Sequence, residues 1–230
     1  MALDTELRNT YYNVPPSLKY KPLSQSIIDS SSVIMNRTTI EILYLKSIIV
    51  LHRQYITEQR RNPLYDHSRH ACLEAASTVL DRQGELHRAT QPGSQLYDDR
   101  WMVSALTAND FILAAMVICL ELTIRMREST IPVAQKAVPS QGYQPTFSKY
   151  FNAIQMAHQI WTGASAFSIE ARMASNALGS TIERINSYES TDNPHFMTFQ
   201  SDSAARVGPS VPLEETSVPT DGMEYIDWVS

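Results

Sequence analysis

Three side chains with metal-binding chemistry, His67, His70 and Glu74, are spaced by three and four residues, so one face of a helix would present all of them. Imidazole nitrogens and carboxylate oxygens bind zinc, and a zinc site needs three or four such ligands. The His-Glu-x-x-His order of metalloproteases is absent, and the pattern indicates no fourth ligand. A solvated helix face is the favoured interpretation. We therefore predict no metal ligands, no cofactor-binding residues and no catalytic residues.

A helical, metal-dependent enzyme similar to the terpene cyclases is a weaker alternative. Asp98 and Asp99 form an acidic pair, but the third carboxylate of an aspartate-rich magnesium cluster is missing. Asn176, Ser180 and Glu183 approach that family's second metal motif, yet the glutamate comes one residue early, which turns it about 100° around a helix. Without magnesium ligands, diphosphate chemistry lacks its electrostatic support. The chain is predicted not to be an enzyme.

Aromatic residues and methionines leave a second alternative open, a module that senses a small molecule. Tyr11, Tyr12, Trp101 and Trp161, together with some of the nine methionines, could line an apolar pocket between helices. The same residues could simply fill the core. The sequence favours the core, and any effector is left unidentified.

Other features of the composition exclude several classes of protein. Glycine is scarce at seven residues, and neither a phosphate-binding glycine loop nor a G-x-S-x-G motif is present. The two cysteines, Cys72 and Cys119, lie in apolar surroundings, so we predict buried, reduced thiols. The longest uncharged apolar run is Phe111 to Leu120, ten residues, which is too short to span a bilayer. We predict a soluble chain with no membrane partner.

Charge is concentrated near the C-terminus. Residues 190–230 hold seven acids and one base, a net charge of −6, while the preceding residues carry 18 bases against 17 acids. Neither part has the basic stripe of a surface that grips phosphates. Ser, Thr, Pro and Asp dominate the tail, which predicts a disordered acidic segment. Its end, "DGMEYIDWVS", alternates acids with large apolar residues, as activation-type segments do.

Helical periodicity organises the rest of the chain, residues 1–189, and no segment alternates with the period of a strand. We predict an all-α, multi-helix domain. A short helix precedes a proline-rich connector within residues 1–35, and a turn or short helix covers Trp101–Leu106. The longer helices are predicted at about 38–60, 68–87, 107–126, 146–162 and 167–188. Thr38 and Thr107 are each followed three residues later by an acid, the spacing of a capping box that opens a helix.

The stretch "LKSIIVLHRQYI" joins a histidine and an arginine to an apolar run. His52 is in register with Ile42, Leu45, Ile49 and Ile56, so its ring is predicted to pack at the core edge and to need a hydrogen-bond partner. Arg53 shares a polar strip with Lys46 and Arg60. We predict that its methylene chain covers apolar surface there, while its guanidinium group meets solvent or an acid.

Four stretches in order resemble the fungal-specific transcription factor domain, the middle homology region of the zinc binuclear cluster regulators. They are "YLKSIIVLHRQYI", "NPLYDHSRHACLEAAS", "RWMVSALTANDFILAAMVICLEL" and "IEARMASNAL". The terminal "YIDW" is similar to the Asp-Trp near the ends of these regulators. The resemblance covers residues 1–185 loosely and 40–125 well. It implies an all-α domain in the nucleus that tunes transcription through other regulators or coactivators.

The resemblance stops short of the module that reads DNA. That module uses six cysteines to hold two zinc ions, whereas this chain has only Cys72 and Cys119. We therefore expect the C-terminal part of the regulatory region without the cysteine-rich module, and contact with DNA only indirectly unless such a module is restored. A truncated gene model and a genuine regulator lacking the module both fit the sequence.

Overall fold

The computed structural model describes residues 2–57, 62–129 and 147–190. Their regular secondary structure is helical throughout, which confirms the all-α prediction for this part of the chain. The α-helices are α1 (Ala2–Tyr12), α2 (Ser31–His52), α3 (Asp66–Ala89), α4 (Trp101–Ser129), α5 (Phe147–Ala164) and α6 (Ile169–Ser190). Short 3-10 helices cover Pro16–Leu18, Leu23–Gln25, Arg53–Ile56 and Pro63–Tyr65. The predicted acidic tail lies outside the described residues from 191 onward.

Helix α2 begins seven residues before the predicted capping box. Thr38 is buried inside the helix, and its hydroxyl donates to the carbonyl of Ile34 at 2.9 Å, so the capping prediction was wrong. Ile34 and Met35, in the added turns, are 2% and 4% exposed. Tertiary burial of these two side chains stabilises helical turns that a local capping signal could not anticipate. The helix also ends earlier than predicted, at His52.

The apolar stripe predicted for α2 is confirmed. Ile42, Leu45, Ile49, His52 and Ile56 are all buried, and none is more than 9% exposed. The change to a 3-10 helix after His52 keeps Ile56 inside. One face of α2 therefore supplies a continuous wall of the core.

Helix α3 runs antiparallel to α2. Arg82, near the end of α3, donates to Glu41 in the middle of α2, whereas the Cys72 thiol, near the start of α3, donates to the carbonyl of Ile49 late in α2. The small-residue face predicted for this helix is confirmed as its packing face. Its members Ala71, Cys72, Ala75, Ala76, Val79 and Leu80 are all buried. Small side chains there let the two helices approach closely.

Helix α4 is continuous from Trp101, so the predicted separate start at Thr107 was wrong. Thr107 is 2% exposed within the helix. The helix contacts α2, α3, α5 and α6. Two acids on its buried side are neutralised inside the fold, because Asp110 pairs with Lys46 at 2.6 Å and Glu121 pairs with Arg125 at 2.6 Å.

The apolar part of α4 extends beyond the ten-residue uncharged run from Phe111 to Leu120. By length and composition, residues 107–127 form the one candidate membrane span in the described part of the chain, and 56% of its apolar window is buried inside the structure. The core helix of a soluble protein passes the same test. Here that window lies against four other helices, as a central core helix does.

Helices α5 and α6 form a hairpin that closes the core. Tyr150 and Ile154 from α5 belong to the same core cluster as Leu178 and Ile185 from α6, and all four are at most 1% exposed. The Thr162 and Ser175 hydroxyls share a hydrogen bond of 2.8 Å across the hairpin. Both helices begin and end within two residues of their predicted bounds, since each carries a clear apolar periodicity of its own.

Candidate functional site

The three side chains that could have formed a metal face on α3 take different partners. His67, His70 and Glu74 have 55%, 43% and 71% of their side chains exposed. Nε2 of His70 lies 3.8 Å from a Glu74 oxygen, whereas Nε2 of His67 lies 3.6 Å from Asp4 of α1. Within residues 2–57, 62–129 and 147–190, no group of three His, Cys, Asp or Glu side chains is placed to hold a metal ion.

The near-motif of a diphosphate enzyme does not line an enclosed site. Asn176, Ser180 and Glu183 are exposed on α6, and Asp98 is exposed in the loop before α4. The Ser180 hydroxyl donates to the carbonyl of Asn176 in its own helix at 3.0 Å. Chemistry of this kind depends on excluding water from the reacting groups, which solvent-facing residues do not provide.

The aromatic residues considered for an effector pocket also separate. Tyr12 and Trp101 are 78% and 61% exposed, whereas Trp161 is 7% exposed in the core. Tyr11 stacks on Tyr44 of α2 with ring centroids 4.0 Å apart. Trp161 therefore packs as a core residue, Tyr11 joins two helices, and the two exposed rings line no buried cavity.

The structure instead brings together a cluster that sequence reasoning missed, which we call the Asp4 cluster: Asp4, Arg8, His52 and His67. Asp4 is the buried residue of α1 and is 6% exposed. Its carboxylate accepts from Nε of Arg8 at 3.0 and 3.1 Å, and from Nε2 of His52 at 3.1 Å. This carboxylate thus fastens α1 to the end of α2 and the start of α3.

Opposing effects set the ionisation of Asp4. Burial raises the pKa of its carboxyl, but hydrogen bonds from Arg8 and His52 and their positive charge more than offset this, and the net pKa lies below the ordinary 3.8. A carboxylate can only accept hydrogen bonds, so Nε2 of His52 carries the hydrogen. Asp4 is therefore an ionised anchor at neutral pH.

The Asp4 cluster resembles part of a catalytic triad without being one. A carboxylate orients an imidazole, yet Nδ1 of His52 is buried and has no hydrogen-bond partner within the described residues. A general base must reach the proton it removes. The geometry therefore fits a structural anchor. The predicted partner for the His52 ring is confirmed, although nothing local in the sequence pointed to Asp4, 48 residues away.

A second cluster, the Arg82 cluster, ties the proline-rich connector to the bundle through Tyr20, Glu41, Arg82 and Glu85. The Arg82 guanidinium donates to Glu41 at 2.6 and 3.4 Å and to Glu85 at 3.3 Å, and lies 3.6 Å from the centre of the Tyr20 ring. The Tyr20 hydroxyl donates to Glu85. Burial and this bond raise the pKa of the Tyr20 hydroxyl, so it stays protonated.

A third feature is a pair of exposed apolar residues on each of α2 and α4. Leu43 and Val50 from α2 are 51% and 47% exposed, and Met116 and Leu120 from α4 are 36% and 39% exposed. Lys46 lies between Leu43 and Val50 along α2, and its bond to Asp110 fixes this side of α2 against α4. Part of each helix's apolar content therefore faces solvent.

Both cysteines are buried and free, as predicted. Burial raises the pKa of the Cys72 thiol to about 12 and that of the Cys119 thiol to about 11. The thiolate is the form that binds metals and attacks electrophiles. Neither residue has the environment of a zinc ligand or a nucleophile.

Arg53, the neighbour of His52, is exposed in the 3-10 helix that follows α2. This agrees with the prediction that its head meets solvent. Arg60, predicted to share its strip, lies outside the described residues.

Known proteins similar to this chain are fungal transcription factors. A Zn(2)-C6 fungal-type transcription factor of Monascus ruber is 34% identical over 184 residues, which cover 80% of this chain and 22% of that protein. The equisetin cluster transcription factor of Fusarium heterosporum is 30% identical over 224 residues, 97% of this chain and 29% of that protein. The fusarisetin A cluster transcription factor of a Fusarium species is 30% identical over 97% of this chain and 27% of its own length.

The chain thus spans between a fifth and a third of the length of these curated relatives. No family model matches the sequence. No solved structure matches it either.

Proposed function

We propose that this chain is a regulatory portion of a fungal Zn(2)-C6-type transcription factor, acting in the nucleus through contacts with other proteins and not through catalysis. The observation that carries the proposal is similarity over 77–97% of the chain to fungal transcription factors. The four ordered stretches that resemble the fungal-specific transcription factor domain agree with it. Its partners are other regulators or coactivators, and it reaches DNA through them or through a zinc-cluster module elsewhere in a longer protein.

The described structure supports a role in binding over one in catalysis. The ionic contacts of Asp4 with His52 and of Arg82 with Glu41, buried and half-buried respectively, join helices to one another. Apolar side chains such as Ile169 and Met173 of α6, 67% and 68% exposed, are left at the surface. Exposed apolar side chains of this kind can contribute to contacts with another protein.

The target genes are proposed to lie together in a cluster. Two of the relatives, from Fusarium heterosporum and another Fusarium species, are named as equisetin and fusarisetin A cluster transcription factors. Deleting the gene for this chain in its fungus should lower transcripts of a contiguous gene set. Scattered transcript changes, or none, would contradict this part of the proposal.

A reporter assay tests the regulatory function. Residues 190–230 and the full chain would each be fused to a heterologous DNA-binding module in a fungal host. The acidic composition ending in "MEYIDW" predicts reporter activity from the tail fusion above that of the module alone. Replacing Tyr225, Ile226 and Trp228 with alanine should remove most of it.

A matched control comes from the same tail, where Phe196→Ala with Phe199→Ala removes aromatic area outside the acidic terminal segment. This control should retain activity. A fluorescently tagged full chain should collect in the nucleus when expressed with its regulatory partners. No reporter response from either fusion would overturn the activation role.

A further inference from the structure

The side of α6 that faces away from the core carries exposed apolar residues. Ile169 and Met173 are 67% and 68% exposed, and their spacing of four residues makes them neighbours on one helix face. Ala177 and Ser180 continue this face toward the C-terminal half of α6 and are exposed as well. The four residues fall within about 80° of the helix circumference, opposite the buried Leu178. We call them the α6 outer face.

Charged side chains border the α6 outer face in an ordered pattern. Arg172 and Glu183 lie along one edge, and Glu170 and Arg184 lie along the other, roughly 100–160° away around the helix. All four are exposed. Arg172, Glu183 and Arg184 form no ion pair with any other described residue. Glu170 accepts from the Ser168 hydroxyl at 2.7 Å, which a carboxylate can do while it also binds an arginine. Each edge therefore carries one base and one acid at opposite ends of the face.

We propose that a second copy of the chain docks on the α6 outer face, with the two α6 helices antiparallel about a two-fold axis beside Ala177. A two-fold axis brings the same surface of both copies together. In an antiparallel pair, it joins like edges and reverses their direction. Arg172 and Glu183 stand about 8 Å to either side of the axis, so Arg172 of one copy faces Glu183 of the other. Glu170 and Arg184, each about 10 Å from the axis, pair in the same way on the opposite edge.

The outer face is therefore complementary to itself. Opposite charges along both edges of an interface fix its register and orientation. Met173 of each copy lies near Ala177 and Ser180 of the other, whose short side chains leave room for it. A parallel pair would also bring Arg172 near Glu170, but it would set long side chains against long ones and short against short, and it would align the two helix dipoles. The antiparallel pair avoids both mismatches.

An acidic segment, such as the tail of this same chain, fits the α6 outer face less well. Such a segment would meet Arg172 and Arg184, but Glu170 and Glu183 on the same two edges would repel it. Only a partner that offers both signs of charge in the reverse order satisfies all four side chains. A second copy does so by symmetry.

The size of the face determines the expected affinity. Helix α6 is about 33 Å long, and a contact along one helix buries less than the roughly 800 Å² per partner of a standard stable interface. We therefore expect a weak dimer, with a Kd on the order of 10 μM or above. This docking does not depend on the proposed function, and none of the measurements below reads transcription.

Sedimentation of the full chain, from about 1 μM to about 1 mM, tests the dimer over the range in which a weak interface dissociates. Arg172→Glu and Glu183→Arg each bring like charges together at both ends of one edge, so each should raise the Kd about tenfold. The matched controls reverse exposed charges elsewhere, Arg88→Glu on α3 and Glu6→Arg on α1. The controls should leave the Kd unchanged.

A mixture of the two single variants gives the sharper arm. The Arg172→Glu chain carries two acids on this edge and the Glu183→Arg chain carries two bases, so a mixed pair regains unlike charges at both ends. We expect the equimolar mixture, and also the double variant Arg172→Glu with Glu183→Arg, to associate with nearly the affinity of the wild type. Unfolded variants would not recover in a mixture, so recovery excludes a folding defect as the cause of the weakening.

Photo-crosslinking identifies the occupant of the face. With p-benzoylphenylalanine in place of Ser180, we expect crosslinks between two chains, to peptides that contain residues 172–177. Crosslinks within one chain would show that a segment of the same chain covers this face and would overturn the proposal.

The sedimentation data can overturn it in three further ways. A chain that stays monomeric up to about 1 mM has no such dimer. A dimer that the single reversals leave unchanged forms through another face. Failure of the mixture to recover excludes the antiparallel pairing, because a parallel pair would still hold like charges together.

Discussion

Nε2 of His52 lies 3.1 Å from a carboxylate oxygen of Asp4, and the two side chains are 4% and 6% exposed. This contact joins residues 48 positions apart and makes α1 part of the bundle. Leu3, the apolar residue that precedes Asp4 in α1, is 65% exposed. Helix α1 is therefore held by a buried ionic contact together with the packing of Leu7 against the core and the Tyr11–Tyr44 stack.

Removing the charge of Asp4 should loosen α1. We expect Asp4→Asn to lower the free energy of unfolding by about 2–3 kcal/mol, because the buried hydrogen-bond network loses its negative charge and one of its two acceptor oxygens. Urea unfolding followed by circular dichroism measures the change. Glu6→Gln, at an exposed acid of the same helix, is the control and should stay within about 0.5 kcal/mol of the wild type. Equal effects for both variants would rule out an anchoring role.

The Asp4 cluster also predicts a dependence on pH. The pKa of Asp4 is lower in the folded state than the ordinary 3.8, so the unfolded chain takes up this proton first as the pH falls. The stabilisation is therefore fully present above about pH 4 and is lost as the pH drops through the folded pKa. The difference in unfolding free energy between wild type and Asp4→Asn should narrow below about pH 4. A difference that stays constant from pH 6 to pH 3 would contradict this.

The Arg82 cluster depends on the shape of a guanidinium as well as on its charge. Arg82 bonds two carboxylates and covers the Tyr20 ring, which a single ammonium group cannot do at once. Arg82→Lys should destabilise the protein by about 1–2 kcal/mol. Arg88→Lys, an exposed arginine on the same helix, should change stability by less than about 0.5 kcal/mol. Chemical denaturation of both variants shows whether a positive charge alone at position 82 is sufficient to maintain the stability of the protein.

Gly84 of α3 packs tightly against Met156 of α5. A Cβ placed there would lie 2.4 Å from Sδ of Met156, so Gly84→Ala forces this side chain to move. We expect a loss of about 1–3 kcal/mol from overpacking, partly offset by the better helix propensity of alanine. Gly163→Ala in α5 meets no atom within 4 Å and should stabilise by about 0.5 kcal/mol. Differential scanning calorimetry should therefore show Tm shifts of opposite sign.

Shortening Met156 should relieve the Gly84 variant. Since the two positions touch, their effects should not add, and Gly84→Ala with Met156→Ala should cost less than the sum of the single changes. Additive costs would mean that the strain at Gly84 arises elsewhere.

The two thiols should be inert in the folded protein. Cys72 and Cys119 are 0% and 6% exposed, and burial raises their pKa values to about 12 and about 11, so little thiolate exists at pH 8. A thiol-reactive dye should label neither residue in buffer and both in denaturant. Rapid labelling of the native protein would show that one thiol is accessible.

Much of the fold followed from local pattern. The stripe of Ile42, Ile49 and Ile56 and the small-residue face of α3 were predictable, because a helix with one buried face repeats its apolar residues every three to four positions. The helix starts at Ser31 and Trp101 were not predictable in this way, because the capping spacings at Thr38 and Thr107 indicated later starts. A capping spacing describes a local preference, and burial of Ile34 and Met35 outweighed it at Thr38, whereas Thr107 is itself buried within α4.

The candidate site depended on contacts that the sequence does not encode locally. The register of His52 in its helix predicted a buried ring that needed a partner, but the partner comes from a helix 48 residues earlier. The pairing of Arg82 in α3 with Glu41 in α2 could not be predicted from the sequence either. Both are residue types that ordinarily lie at the surface. Loop conformation and helix docking decide which charges meet.

By itself, the sequence determined that the described part is helical, which helix faces form the core, that the cysteines are buried, and which family the motifs resemble. These properties depend on residue type and short-range spacing, which the chain carries directly. Only the tertiary structure decided that α1 is anchored by Asp4, that Asp110 and Glu121 of α4 are buried beside cations, and that Arg82 of α3 joins Glu41 of α2. Such pairings are set by the docking of whole helices, where burial selects among the many contacts that the same local patterns would permit.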